Sequence, residues 1–374
     1  SSAPAEIGFD LYDALLFALT MQGAFGVVYN LVATSSKQIL PTTDTPALKY
    51  GLLGALFVTV LGNLEGLLEV FYSSGILPAS FWSWVDIPGL PADELVRGTW
   101  LPSHRGGWWW WHASRVLQDR DLLYRPISVS PITEFPFFSF LLGDNHPHVL
   151  ALPFVLVSIG VALNLLNRQA SSQQTSENIV FKKVRLWRWN PILITLNGDW
   201  QLFLFSALLL GSLGFLNTWD LPIYLGLAAA AYGVGLYVSQ KRLNIELILR
   251  VIALGLSLGM AAVLLYTFFY LSFSSQAGGL LPYIFPPSRL PQYLVMFGPF
   301  IFILACFLIT DQIEQSKQAK PLALIKTILK WWAGILLACS AAFALILLGV
   351  SFSDMARQFI EQMRSDPASP LGGL

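Results

Sequence analysis

Between Glu134 and His148 the sequence reads EFPFFSFLLGDNHPH, which sets Glu134, Asp144, His146 and His148, groups that bind metals or move protons, in an otherwise apolar segment. Asp144, His146 and His148 occupy alternate positions, so an extended backbone points all three side chains the same way. Pro147 favours that backbone at His146. One carboxylate and two imidazoles form a ligand set for a divalent metal such as Mg or Mn, the carboxylate suiting a hard ion and the imidazoles a borderline one. The competing reading is a polar helix cap with hydrogen-bonded structural histidines. All 4 histidines of the chain (His104, His112, His146, His148) fall in residues 73–147 or at the mouth of the helix expected after them, an uneven distribution that marks this part of the chain as a candidate site.

Three further groups carry chemistry. GNLEGLLEV puts Asn63, Glu65 and Glu69 in the outer half of an apolar stretch, the two carboxylates four residues apart on one helical face. A charge near a bilayer centre costs about 2.5–3.5 kcal/mol, so such groups normally face a cavity or a partner. The alternative is that Glu69 reaches the interface and Glu65 pairs with an arginine. LNTWDLP holds Asn217, Trp219 and Asp220 at a tight turn, where Asp220 ahead of Leu221-Pro222 equally suits a helix start. Arg115, Arg125 and Arg289 are candidates for phosphate, since a guanidinium binds two phosphate oxygens at once; an ordinary solvated helix face is the alternative. Tryptophans 82, 84, 100 and 108–111 suit membrane-interface anchoring or stacking on a sugar. Walker-type spacing is missing.

These residues need a scaffold, and composition names it. Of 374 residues 55% are hydrophobic and 12% charged, with a mean hydropathy of +0.60, against about 25% charged in an average soluble domain. An all-α polytopic membrane protein follows. Eight stretches approach the roughly 20 apolar residues of a span: 12–33, 50–72, 148–166, 200–217, 220–238, 247–271, 292–309 and 331–352. Lysine and arginine concentrate in alternate connections, which orients the 73–147 loop, the 217–220 turn and the 272–291 loop away from the cytoplasm. One transmembrane domain is expected over 1–352, with an outer loop at 73–147, a polar cytoplasmic linker at 167–199 and a tail at 353–374. A net charge of zero without long charge runs removes nucleic acid as a partner, leaving membrane lipids, and Cys306 and Cys339 offer neither a disulfide framework nor a CxxC site. The first residues lack a basic signal-peptide n-region, and the chain is expected to be part of a longer one.

The segments GAFGVVYNL, GNLEG, WWWWHASRV, ITEFPFFSFLLGDNHPHVLALPF, LNTWDLPIY and SSQAGG, spread over most of residues 10–300, resemble the domain-of-unknown-function family 2298, also called the YYY membrane protein family. That family is similar, distantly, to the GT-C class of membrane glycosyltransferases, which take a sugar from a polyprenyl-phosphate donor on the outer face of the membrane. The resemblance implies a GT-C-like arrangement, a lipid-linked sugar donor as partner and a prokaryotic cell membrane as location. It also implies an N-terminal part, with a tyrosine triplet and an acidic first outer loop, that these residues do not include. Glu134, Asp144, His146 and His148 match its motif. On this expectation Asp144, or the upstream acid, is the base. Glu134, His146 and His148 are metal ligands or orienting groups, and Arg115 or Arg125 meets the phosphate. The alternatives are an ion or proton-coupled transporter using Glu65, Glu69 and the histidines, and a non-catalytic subunit of a membrane complex.

Overall fold

Apolar runs of this length leave a backbone no partner but itself, so helices are the available solution. The computed structural model describes residues 4–36, 45–92, 109–121, 124–127, 131–171, 191–274, 286–316, 321–351 and 354–365. In chain order the helices are α1 (Ala5–Ser36), α2 (Thr45–Thr59), α3 (Glu65–Ser74), α4 (Ala79–Val85), α5 (Trp109–Ala113), α6 (Pro136–Leu142), α7 (Pro147–Ser171), α8 (Pro191–Leu196), α9 (Trp200–Leu216), α10 (Asp220–Gln240), α11 (Ile245–Leu265), α12 (Thr267–Ser272), α13 (Leu290–Ser316), α14 (Pro321–Ser351) and α15 (Asp354–Ser365). The protein is thus an all-α, multi-pass membrane protein. Among the described residues 5 helical stretches are long and apolar enough to cross a bilayer: Ala5–Thr34, Pro147–Ala170, Asp220–Gln240, Ile245–Leu265 and Leu290–Ile313. The other three expected spans correspond to shorter apolar helices, Pro46–Thr59, Trp200–Leu216 and Trp332–Leu345. Residues 354–365 of the expected tail form α15, while residues 172–190 of the expected 167–199 linker and all of SSQAGG but Ser274 lie outside the described residues.

Contacts group the chain into two units, residues 1–61 with 139–275 and residues 62–138 with 276–374. In the first, α7 packs on α1, α9 and α10, and α11 packs on α9 and α10. Its core is built from Leu165, Leu213, Tyr232, Leu236, Leu254 and Leu258, each nearly inaccessible. Small residues let these helices touch: a Cβ at Gly235 of α10 would lie 2.6 Å from the Leu166 carbonyl oxygen of α7. Asp199 caps α9 by accepting from Leu202 N–H at 3.0 Å, and Asn244 caps α11 by accepting from Leu247 N–H at 2.8 Å.

The second unit is centred on Leu68 and Tyr72 of α3, Trp82 and Val85 of α4, Val116, and Val295 of α13. Its first element corrects the expected span 50–72. The helix stops at Thr59 and restarts at Glu65: Val60 and Leu61 N–H both donate to Leu56 O, Leu64 N–H donates to Val295 O at 2.9 Å, and Asn63 binds outside the helix. A 10-residue α3 rises about 15 Å, half a bilayer core. Glu65 and Glu69 therefore sit on a short buried helix, outside the spanning segments.

Candidate functional site

In the second unit, α3 places Glu65 and Glu69 one turn apart, and both are almost wholly buried, at 0% and 5% exposure. Facing them is His112 of α5, whose Nδ1 lies 2.8 Å from Glu69 Oε1. Asn63 fixes this pairing. Its side-chain oxygen accepts from Glu65 N–H at 3.0 Å, while its amide donates to Ala113 O at 2.6 Å and Met296 Sδ at 3.1 Å. One side chain thus ties the start of α3 to the end of α5 and to α13. Gly89, at φ +90°, passes so close to the imidazole that a Cβ there would lie 3.3 Å from His112 Cε1. Glycine meets both the backbone and the space requirement at that position.

Burial pushes the Glu65 carboxyl up to about 9, with the neighbouring Glu69 charge adding to the shift. The sign of its effect on stability follows by linkage. A carboxyl whose folded pKa exceeds its unfolded value stabilises the fold fully at pH below about 4.5, and that contribution drains away as pH rises toward about 9. With divalent ions chelated, thermal stability should therefore fall between pH 5 and pH 9 (~4 units, spanning the two pKa values), and Glu65→Gln should flatten the slope. Identical slopes in the two proteins would contradict the assignment.

Farther along the same unit, Asp86 ends α4 in the left-handed region (φ 50°), a conformation aspartate tolerates better than most side chains. Its carboxylate receives two guanidiniums, Arg120 Nη2 at 3.0 Å and Arg289 Nη1. Arg289 also donates to Trp84 O at 3.0 Å, and the buried Gln292 donates to Asp86 O at 2.7 Å. Asp86, Arg120 and Arg289 line a cavity of about 630 Å³, with Trp82, Leu90 and Tyr124 among its apolar lining residues. Arg120 lies over the Tyr124 ring at 4.9 Å, and its Nε is buried without a hydrogen-bond partner. Tyr72 of α3 donates to Pro91 O at 2.6 Å, linking the acid-bearing helix to the cavity wall.

In the first unit, His146 Nδ1 meets Asp144 Oδ1 at 2.5 Å, an imidazole oriented by a carboxylate and exposed to its surroundings. The expected extended run ends there. Pro147 opens α7, so His148 belongs to the first helical turn, its ring 5.7 Å from that of His146 and within electrostatic reach of Asp220. Asp220 begins α10 beside Asn217, and Trp219 is exposed. A larger cavity in this unit, about 770 Å³ between α1 and α7, is lined by a single ionisable group, Arg168, which is paired with Asp199 at 2.6 Å. Volume alone does not make it the site.

The remaining candidates are accounted for locally. Arg115 lies 3.6 Å over the Trp111 ring, donates to Ser114 Oγ at 2.5 Å and feels the charge of Glu134. Arg125 is exposed and pairs with Asp121 at 2.7 Å across a turn. Of the candidate arginines, Arg289 lines the cavity beside Asp86. Asp86, Arg120 and Gln292 are participants that local sequence pattern does not mark, and His112 stands out only as one of four clustered histidines; Gly89 and the polar break at Asn63 are the available signals.

A family model for an uncharacterized membrane protein, DUF2298, matches residues 1–370. The chain belongs to this family. No curated protein and no solved structure matches it. Family membership agrees with the multi-pass fold, and the residues above supply carboxylate–imidazole groupings compatible with a divalent ion.

Proposed function

We propose that this chain is part of a GT-C-like membrane glycosyltransferase that holds a polyprenyl-phosphate sugar donor and passes the sugar to an acceptor hydroxyl on the extracytoplasmic side. The observation that carries the reading is the convergence of Arg120 and Arg289 on Asp86 in a cavity with aromatic walls. A phosphate presents a guanidinium with the same paired oxygens that a carboxylate does, so the arrangement suits a phosphate that joins or displaces Asp86. Arg120 Nε remains as a further donor. Tyr124 gives the cavity an exposed aromatic face on which a sugar ring or an isoprenoid unit can lie.

Transfer breaks the bond from the anomeric carbon to the phosphate oxygen and forms one to the acceptor oxygen, which must lose its proton. Guanidiniums held in place stabilise the charge that grows on the leaving phosphate. Within the first unit, Asp144 with His146 has the composition of a proton-accepting pair, the carboxylate orienting the ring.

The test is transfer from a polyprenyl-phosphate-linked sugar by the full-length protein in lipid nanodiscs. Arg289→Ala should weaken donor binding by about tenfold or more, the loss of one charge-assisted contact of about 1.5–3 kcal/mol. Asp144→Asn should abolish turnover while donor binding persists. Donor binding and turnover unchanged in both variants would overturn the reading.

A further inference from the structure

We propose that Glu65, Glu69 and His112 form a binding site for one first-row divalent ion, of the Mn²⁺ or Zn²⁺ kind. The site differs from the Asp144, His146 and His148 set that sequence spacing suggests, and the proposal stands independently of any sugar donor. One donor atom from each of the three residues lies within 4.8 Å of the other two. Bonds of about 2.1 Å to a shared ion bring ligand atoms to roughly 3–4 Å from one another, so side-chain adjustments of an ångström or less complete the set.

Acidic residues often lie near one another without an ion, and proximity is not the argument. The deciding feature is Glu65. Its residue is 0% exposed and both carboxyl oxygens are sealed from solvent, with only the neighbouring Glu69 carboxyl near enough to share a proton. Buried polar atoms in folded proteins are almost always satisfied, and an exception calls for a ligand, an ion or an ordered water to explain it. Here both oxygens belong to a fully buried side chain on α3, the helix that also gives Leu68 and Tyr72 to the apolar core of this unit, and a lone carboxyl there is costly. The surroundings are also prepared. Asn63 anchors the Glu65 backbone and the end of the His112 helix at once, Glu69 orients the imidazole, and Gly89 leaves the ring its space. Such supporting contacts are typical around metal ligands. Two carboxylates and one imidazole favour Mn²⁺ or Zn²⁺ over Ca²⁺, which prefers six or more oxygens.

The experiment is Mn²⁺ binding to the chelator-stripped full-length protein in nanodiscs, with no lipid-linked sugar present, followed by electron paramagnetic resonance. One equivalent should bind, with pulsed spectra showing coupling to one imidazole nitrogen. Glu65→Gln should weaken binding by tenfold or more, and His112→Gln should remove the nitrogen signal, whereas His146→Gln should leave both unchanged. Zn²⁺ should compete for the same equivalent. Absence of binding, or nitrogen coupling that survives His112→Gln and vanishes in His146→Gln, overturns the proposal. Because no donor takes part, failure here leaves the transferase reading to be judged by its own assay.

Discussion

Trp82→Ala should destabilise the second unit by about 3–5 kcal/mol, the usual cost of truncating a buried aromatic to alanine. Trp82 is 1% exposed, stands edge-on to Tyr72 at 4.9 Å and to Phe81 at 5.1 Å, and donates its indole N–H to Leu77 O at 3.2 Å. Removing it opens a void beneath α3 and removes a wall of the Asp86 cavity in the same stroke. Phenylalanine at this position keeps most of the apolar surface and loses the N–H bond, so Trp82→Phe should cost about 1 kcal/mol more than its lost area alone. Unfolding in a denaturing-detergent titration measures both. An alanine variant as stable as the parent would show that the α3–α4 packing does not hold this unit together.

Gly235→Leu should cost the first unit about 3 kcal/mol, the upper end of the usual range for overpacking. A Cβ there meets the Leu166 carbonyl oxygen at 2.6 Å and Gln169 Cβ at 2.8 Å. A backbone carbonyl cannot swing aside as a side chain would, so α10 must move off α7. The same helix supplies its own control. Gly226 has nothing within 4 Å of the added Cβ and is exposed, and Gly226→Leu should stay within about 0.5 kcal/mol of the parent. Equal thermal shifts for the two substitutions would exclude close helix approach as the reason for glycine at 235.

Hydropathy made the membrane helices legible, because in lipid an apolar run of sufficient length has few alternatives to a helix. The boundary at Thr59–Glu65 was harder to see. Apolar residues flank Gly62 and Asn63 on both sides, and only the later backbone of Val295, supplying the acceptor for Leu64 N–H, turns the polar pair into a break. The same limit governs the site. Asp144 and His146 are two residues apart and their pairing was readable. Glu69 and His112 are 43 apart, and Asp86 and Arg289 are 203 apart, and no local pattern announces such partners. His112 entered the sequence reading only as one member of a histidine cluster.

That separation also sets an order of events during synthesis. The chain from Gly62 to Phe138 is made early, but Arg289, Gln292 and Met296, which pin Asp86 and Asn63, arrive about 200 residues later. At typical translation speeds of about 5–20 residues per second, the interval is roughly 10–40 s. Throughout it Glu69 has His112 and Asp86 has Arg120 within the newborn segment, but the second guanidinium on Asp86 and the Met296 contact of Asn63 do not yet exist. Ribosome-bound intermediates truncated before Arg289 should therefore lack the second guanidinium on Asp86 and the Gln292 bond to its backbone carbonyl, and the Asp86 cavity is complete only once these residues are in place.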